Sequence, residues 1–460
     1  MVDLVLRLSR LSGLVTLLLT LICGLLNAPI DTTAMLCLTA TSALWSAAVL
    51  DDRAGGVDFL ITFFFAFFLA LPARLQIAQQ TFPWGGSYSA QTLNYSFALI
   101  AAALLCYTLA RLITRPAHYI ETANLPDKTL HRWAFAFTLA ALAIAALIGP
   151  ANLFVLRSGF LEGATNSLTS QLIYIGRALS LLTLVLCLYL MSQPRPSRGP
   201  TLALTALAAA TCFSFNYPPA LPRFALFGCA IALLSIRLDL FSPRLKLVLA
   251  LTAPPALFML FPAVKMLGRD EMSVLQMARI MAQTDPTLYL LRVDFDGFKQ
   301  IADTLLYLET APPRWGANYA GVLFFFVPRA LWPAKPGDSG ELVSSTLGYA
   351  YTNVSSPLPA EALLAFGIPG VLLTFAALGI ATARIEGRAR MPQTLHHLVL
   401  YSITMGFIII ILRGALNGVA PQFATAFLAY AAISWNARRA FKRKRGLLSS
   451  DVGLSTQGAT

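Results

Sequence analysis

Charge is what this sequence has least of. Only 12% of its 460 residues are Asp, Glu, Lys or Arg, against 57% hydrophobic, and the mean hydropathy is +0.68. A soluble chain of this length would need far more charge to cover its surface, so the class expected is an all-α, polytopic integral membrane protein. Cysteine chemistry is absent as well. All six cysteines (Cys23, Cys37, Cys106, Cys187, Cys212, Cys229) lie inside apolar runs, with no metal-type pair and none placed for an extracytoplasmic disulfide. The sequence has no P-loop, Rossmann fingerprint or nucleophile elbow. It also lacks an internal repeat, one signature of transporters built from matched halves. At the N-terminus, Arg7 and Arg10 precede an apolar run as in a signal peptide, but no small-x-small cleavage site follows. That run is read as a retained first helix.

Long apolar runs are what the sequence has in abundance. A spanning helix needs roughly 20 mostly apolar residues. Candidate runs are 12–28, 33–50, 57–73, 92–112, 133–150, 168–192, 200–216, 221–238, 244–263, 359–383, 396–413 and 416–436, about twelve transmembrane helices. With the N-terminus inside, the inner segments collect Arg111, Arg115, Arg384, Arg388, Arg390 and the tail "RRAFKRKR" at 438–445. The formal net charge of +13 is then mostly a topology signal of the positive-inside kind, and no nucleic-acid partner is expected. The organisation predicted is helices 1–9 in 1–263, one large outer loop in 264–358, helices 10–12 in 359–436, and a basic cytoplasmic tail in 437–460. Residues 446–460, rich in Ser, Gly and Thr, are expected to be disordered.

Within the outer loop, residues 318–331 (NYAGVLFFFVPRAL) are apolar, too short to cross, and interrupted by Pro328. A short re-entrant or interfacial helix is expected there. It runs into Arg329, Trp332 and Lys335, placed near the outer lipid–water boundary. Other arginines fall at outer span ends: Arg74, Arg157, Arg223 and Arg413, with Arg292 and Arg314 in the loop. Arg177 is the one clear charge read inside a span. A planar guanidinium matches phosphate oxygens in pairs and stays charged near lipid, so these residues suggest an outward-facing cationic cavity. Interfacial arginines also simply snorkel to headgroups.

These residues carry a resemblance. "VPRALWPAKP" at 327–336, followed by "EALLAFGIPG" at 361–370, resembles the signature of the oligosaccharide repeat-unit polymerases, the O-antigen polymerase or Wzy-type family. Arg292-x-Asp294 and Gly316 ahead of the Pro-Arg element are similar to what that family carries. The likeness covers roughly residues 290–372 and the span layout. It implies a multi-pass protein of the bacterial inner membrane with its active site facing the periplasm. There a growing glycan moves from an undecaprenyl diphosphate carrier to a new lipid-linked repeat, without metal or other cofactor. The substrates implied are undecaprenyl-diphosphate-linked glycans in membrane lipid, and the partners a chain-length regulator protein and a flippase.

Three physical demands follow. Positive charge must stabilise the departing diphosphate. Arg329 is the first candidate, assisted by Lys335 and Arg292, with Arg314, Arg413 and Arg177 as further cations of the site. A base must take or orient the acceptor hydroxyl proton. Glu361, opening a span from the outer side, leads; Asp294, Asp338 and Glu341 follow. Aromatic faces must hold sugars, and Trp332, Trp84, Trp315, Tyr88 and Tyr349 are the candidates. Each of these also fits an interfacial aromatic belt.

Metal and histidine chemistry drop out on sequence grounds. "DFDG" at 294–297 is like the start of a calcium loop, but the glutamate needed at position twelve is Leu305. The four histidines, His118, His131, His396 and His397, all fall on the inner side of this topology. An O-antigen-ligase-type transferase, which carries a functional histidine in the outer loop, is therefore the second reading. A lipid-linked oligosaccharide flippase, expected to show charges deep in the bundle, is the third.

Overall fold

The computed structural model describes residues 2–114, 127–155, 167–192, 198–266, 285–389 and 395–455, with Gln276 and Arg279 as isolated positions. Among them every regular element is helical. Along the chain run α1 (Val2–Leu25), α2 (Ile30–Leu50), α3 (Gly56–Ala78), α4 (Ala90–Ile113), α5 (Asp127–Ile148), α6 (Ser167–Ser192), α7 (Arg198–Phe215), α8 (Arg223–Leu234) and α9 (Pro243–Met266). Next come four short helices, α10 (Pro286–Tyr289), α11 (Gly297–Thr310), α12 (Ala317–Leu323) and α13 (Ser339–Thr346). Three long ones close the chain: α14 (Leu358–Ala389), α15 (Leu395–Arg413) and α16 (Leu416–Ser455).

A helix overlaps each of the twelve apolar runs, but among the described residues eight are long and apolar enough to cross a membrane: α1 to α6, α14 and Leu416–Ala437 within α16. Of the remaining four, α8 has 12 residues, and the apolar stretch described in α15 is Leu398–Arg413. The chain is thus a polytopic membrane protein with eight candidate spans among the described residues. Two expectations change. Helix α16 continues through the basic tail to Ser455, where composition suggested disorder. Of 318–331, only the part within α12 is helical; the chain then turns at Phe324. Arg157 lies outside the described residues.

Helix α3 is the axis, with 89% of its apolar window buried, while α1 (22%) and α5 (17%) lie at the periphery with leucines facing outward. Its phenylalanines set the core: Phe63 stacks on Phe67, Phe64 on Phe68, and Trp45 of α2 packs edge-on to Phe67. Pro72 has no N–H to return to the preceding turn, and the helix widens into a π segment at Phe65–Ala70. That widened turn meets α11. A Cβ on Gly297 would lie 3.0 Å from Leu69 Cδ2, so glycine lets α11 close onto it. Phe68 stacks on Phe295 at 5.2 Å, tying the 285–357 segment to the end of the bundle.

Helix α14 is two helices in one. Phe366 (φ −143°) and Gly367 (φ 65°) break it one turn before Pro369. Leu358 to Ala365 are all buried, and beyond the break the helix exposes Ile368, Leu372 and Leu373. The break thus separates a segment inside the protein from one facing lipid.

Candidate functional site

Polar groups gather at two opposite ends of the bundle, and the 285–357 segment covers one of them. Its floor is built on "RVDFDG". The turn Val293–Phe295 sends Phe295 (0% exposed) into the core and leaves Asp294 and Asp296 to face neighbouring helix ends. Arg223, first residue of α8, pairs with Asp294, and Tyr289 donates to the same carboxylate at 2.8 Å. Arg413, last residue of α15, donates to the Asp294 carbonyl at 3.3 Å and pairs with Asp296 at 3.5 Å. Its guanidinium rests 4.3 Å from the Phe224 ring centre. Burial pushes the Asp294 carboxyl up, but Arg223 and Arg413 more than offset it and hold it below the usual carboxylate range. Asp294 is therefore ionised and fully engaged.

A second pair lies behind the first. Lys299 and Asp303, one helical turn apart on α11, are both completely buried and bonded to each other. The Tyr88 and Tyr349 phenols donate to Asp303 Oδ1 at 2.6 and 2.7 Å, and Lys299 sits 4.1 Å from the Tyr349 ring centre. Both tyrosines thus serve this pair instead of standing free as sugar platforms. Trp84 differs. Its indole N–H donates to Asp296 at 3.1 Å, and its ring stacks on Tyr351 at 4.5 Å. It holds φ 64°, a left-handed conformation that costs a non-glycine residue about 1–2 kcal/mol.

Glu361 is 1% exposed and serves as a fastener. One oxygen accepts from Asn318 of α12 and Ser339 of α13, both at 2.8 Å. The other accepts the Leu416 N–H at 3.0 Å, satisfying a free donor at the start of α16. Three elements are pinned to the buried half of α14 by one carboxylate.

The Pro-Arg loop is stapled by its own cations. Lys335 Nζ donates to the carbonyls of Phe325 (2.5 Å) and Val327 (2.9 Å), and the exposed Arg329 donates to the Lys335 carbonyl at 3.0 Å. Partial burial and the neighbouring Arg329 charge lower the Lys335 pKa. Two like charges held this way favour an anion between them. Among the described residues Arg292, Arg314, Arg329 and Lys335 form no ion pair, whereas Arg223, Arg413 and Lys299 all do. Trp315 (74% exposed) stands out from the surface, and Trp332 packs edge-on to Phe324 within the loop.

Asp338 follows directly. Its Oδ1 caps α13 through the Gly340 and Glu341 N–H groups at 2.8 and 3.2 Å. Its Oδ2 carries no hydrogen bond among the described residues, and a Cβ on the adjacent Gly337 would lie 3.8 Å from Arg329 Nη2. Burial, with Glu341 nearby, raises the Asp338 pKa.

Arg177 stands apart from all of this. It donates to the Phe215 carbonyl at 3.1 Å and lines a small cavity between α6, α8 and α15 with Asn216, Cys229 and Gln422. No group of three or more His, Cys, Asp or Glu side chains is placed to hold a metal ion among the described residues.

The opposite end of the bundle holds a network that pattern reading missed. Glu386 of α14 accepts the Gly55 and Asp58 N–H groups at 2.9 and 3.0 Å and pairs with Arg111. Arg111 also meets Asp58 at 3.3 Å, while Lys246 Nζ caps the carbonyls of Ala48, Asp51 and Ala54. Arg177 is therefore not the one charge within a span; Asp58, Arg111 and Glu386 also lie in spanning helices, near their ends. The signal was present in "DDRAGGVD" (51–58), where a glycine pair opens a helix N-terminus to an incoming carboxylate.

No family model, no curated protein and no solved structure matches this chain.

Proposed function

We propose that this protein is a bacterial inner-membrane glycosyltransferase with about twelve spans, which polymerises undecaprenyl-diphosphate-linked oligosaccharide repeats at its periplasmic face. The observation that carries the reading is the set of four cations without carboxylate partners, Arg292, Arg314, Arg329 and Lys335. Arg329 and Lys335 lie within the 327–336 motif, the Arg314 N–H donates to the Leu364 carbonyl of the 361–370 motif, and Arg292 stands two residues before Asp294 on the same segment. Charges placed for structure on this segment are neutralised in pairs; these are not, and a lipid diphosphate supplies what they lack. Exposed Phe324, Phe326 and Leu331 lie beside Arg329, as an element resting in the outer leaflet would require.

In the reaction, the bond between the anomeric carbon and the carrier phosphate breaks, and its electron pair leaves on the diphosphate. An acceptor hydroxyl oxygen forms the new glycosidic bond and gives up its proton. Arg329, with the remaining Lys335 donor and Arg292 and Arg314, stabilises the leaving diphosphate. Glu361 and Asp294 have their carboxylates occupied, so they position the segment, and Arg413 braces its floor. Asp338, with one oxygen free of hydrogen bonds among the described residues and a raised pKa, is the base. Reconstitution tests this: the purified chain in liposomes with lipid-linked repeats should lengthen the glycan and release one undecaprenyl diphosphate per joined repeat. Transfer onto a lipid A acceptor instead would make it a ligase.

A further inference from the structure

Among the described residues, Trp84 and Tyr351 form an aromatic stack beside the 285–357 segment with the Tyr351 ring partly exposed. Trp84 comes from the α3–α4 turn and Tyr351 from the stretch before α14, and they stack at 4.5 Å with planes 18° apart. Tyr351 is 46% exposed, and the flanking Gly85 has nothing within 4 Å of where a Cβ would stand. A ring pair left to itself in a loop would move. This one is held: Trp84 bonds to Asp296, and Asp296 accepts from Ser355 Oγ at 2.6 Å and pairs with Arg413. Trp84 also keeps a left-handed backbone between Phe82–Pro83 and the Gly85–Gly86 pair, whose φ angles are 80° and 107°. An aromatic face held in place by a buried carboxylate is what the C–H face of a pyranose ring recognises.

We infer that Trp84 and Tyr351 form a rigid platform that stacks a sugar ring of the lipid-linked glycan, with Asp296 as its positioning residue. The inference rests on the glycosyltransferase reading for its choice of ligand and names the subsite where the glycan lies. Asp296 joins this platform to Arg413 and the floor of the site.

The test is saturation-transfer NMR on the full chain in nanodiscs, with the lipid-free oligosaccharide released by mild acid from the host's lipid-linked repeats as probe. Transfer to sugar ring protons is expected for the wild type and for Trp435→Ala, an exposed tryptophan of α16, and its loss for Tyr351→Ala and Trp84→Gly. Glycine suits the backbone at position 84, so Trp84→Gly removes the ring without adding strain, and Tyr351→Ala leaves the Trp84–Asp296 bond in place. Trp84→Phe keeps a ring without the indole donor and should retain part of the signal. Unchanged transfer in both ring-removal variants overturns the platform even if the protein polymerises glycan. Transfer to lipid protons in place of sugar protons overturns it too, assigning the pair to the membrane interface. Ring-dependent sugar transfer in a chain that fails to polymerise keeps the platform and removes the polymerase reading.

Discussion

Arg223 and Asp294 share a site from which water is excluded, and neither charge is tolerable there alone. Removing one partner of a buried pair leaves the other uncompensated, at a cost of about 3–5 kcal/mol. Arg223→Ala should therefore lower the thermal stability of the detergent-solubilised protein sharply, while Arg292→Ala, an exposed residue outside any ion pair, should leave it unchanged. Asp338 makes a different kind of prediction. Its folded pKa is raised, so it holds its proton to a higher pH than an ordinary carboxyl and ionising it works against the fold. The polymerisation rate should fall as pH drops through that raised value. Asp338→Asn should abolish the acid limb and most activity with no loss of stability, because asparagine caps α13 equally well. Of these roles, sequence alone showed Arg329, Lys335 and Asp338 as chemistry-bearing residues. It did not show which carboxylates were already spent. Asp303 meets Tyr88 from 215 positions away, and hydrophobic periodicity, which reports only local spacing, has no access to such pairings.

Elements meet here where side chains are missing. A Cβ on Gly228 of α8 would lie 2.3 Å from the Gly406 carbonyl of α15, so the two helices touch backbone to backbone. Gly228→Val should separate them, displace Arg223 and Arg413 at their outer ends, and reduce both folded yield and activity; solubilised-protein thermal shift and the glycan assay read the two effects. Gly316 matters at the other side of the face. It stands at φ 80°, and a Cβ there would press on Phe366 at 2.4 Å, next to the break in α14. Long apolar runs made every main helix visible in the sequence, but the break within α14 was not, because "AFGIPG" reads as one span until Phe366 and Gly367 are seen leaving helical geometry. Helix α8, at 12 residues, is too short to cross a membrane by itself.

At the scale of the molecule, charge is sorted to two ends and bare helix joins them. One end ties Asp58, Arg111, Lys246 and Glu386 into a closed network; the other carries the 285–357 segment with its open cations and aromatic stack. The proposed topology puts the segment-bearing end outside, and cysteine labelling checks it in a background whose six native cysteines are replaced. Ser87→Cys and Ser345→Cys, exposed on the segment-bearing end, should react with an impermeant maleimide in spheroplasts, and Asp52→Cys only after permeabilisation. If the segment-bearing end joins lipid-linked repeats and Arg329 meets the carrier diphosphate, the length of surface glycan on a gel will show it, from cells lacking this gene and cells restored with wild type or Arg329→Ala. Deletion should remove the long ladder and leave single repeats attached, wild type should restore it, and Arg329→Ala inserted at normal levels should not. Loss of every attached repeat, including the first, would contradict that role and point to ligation or flipping.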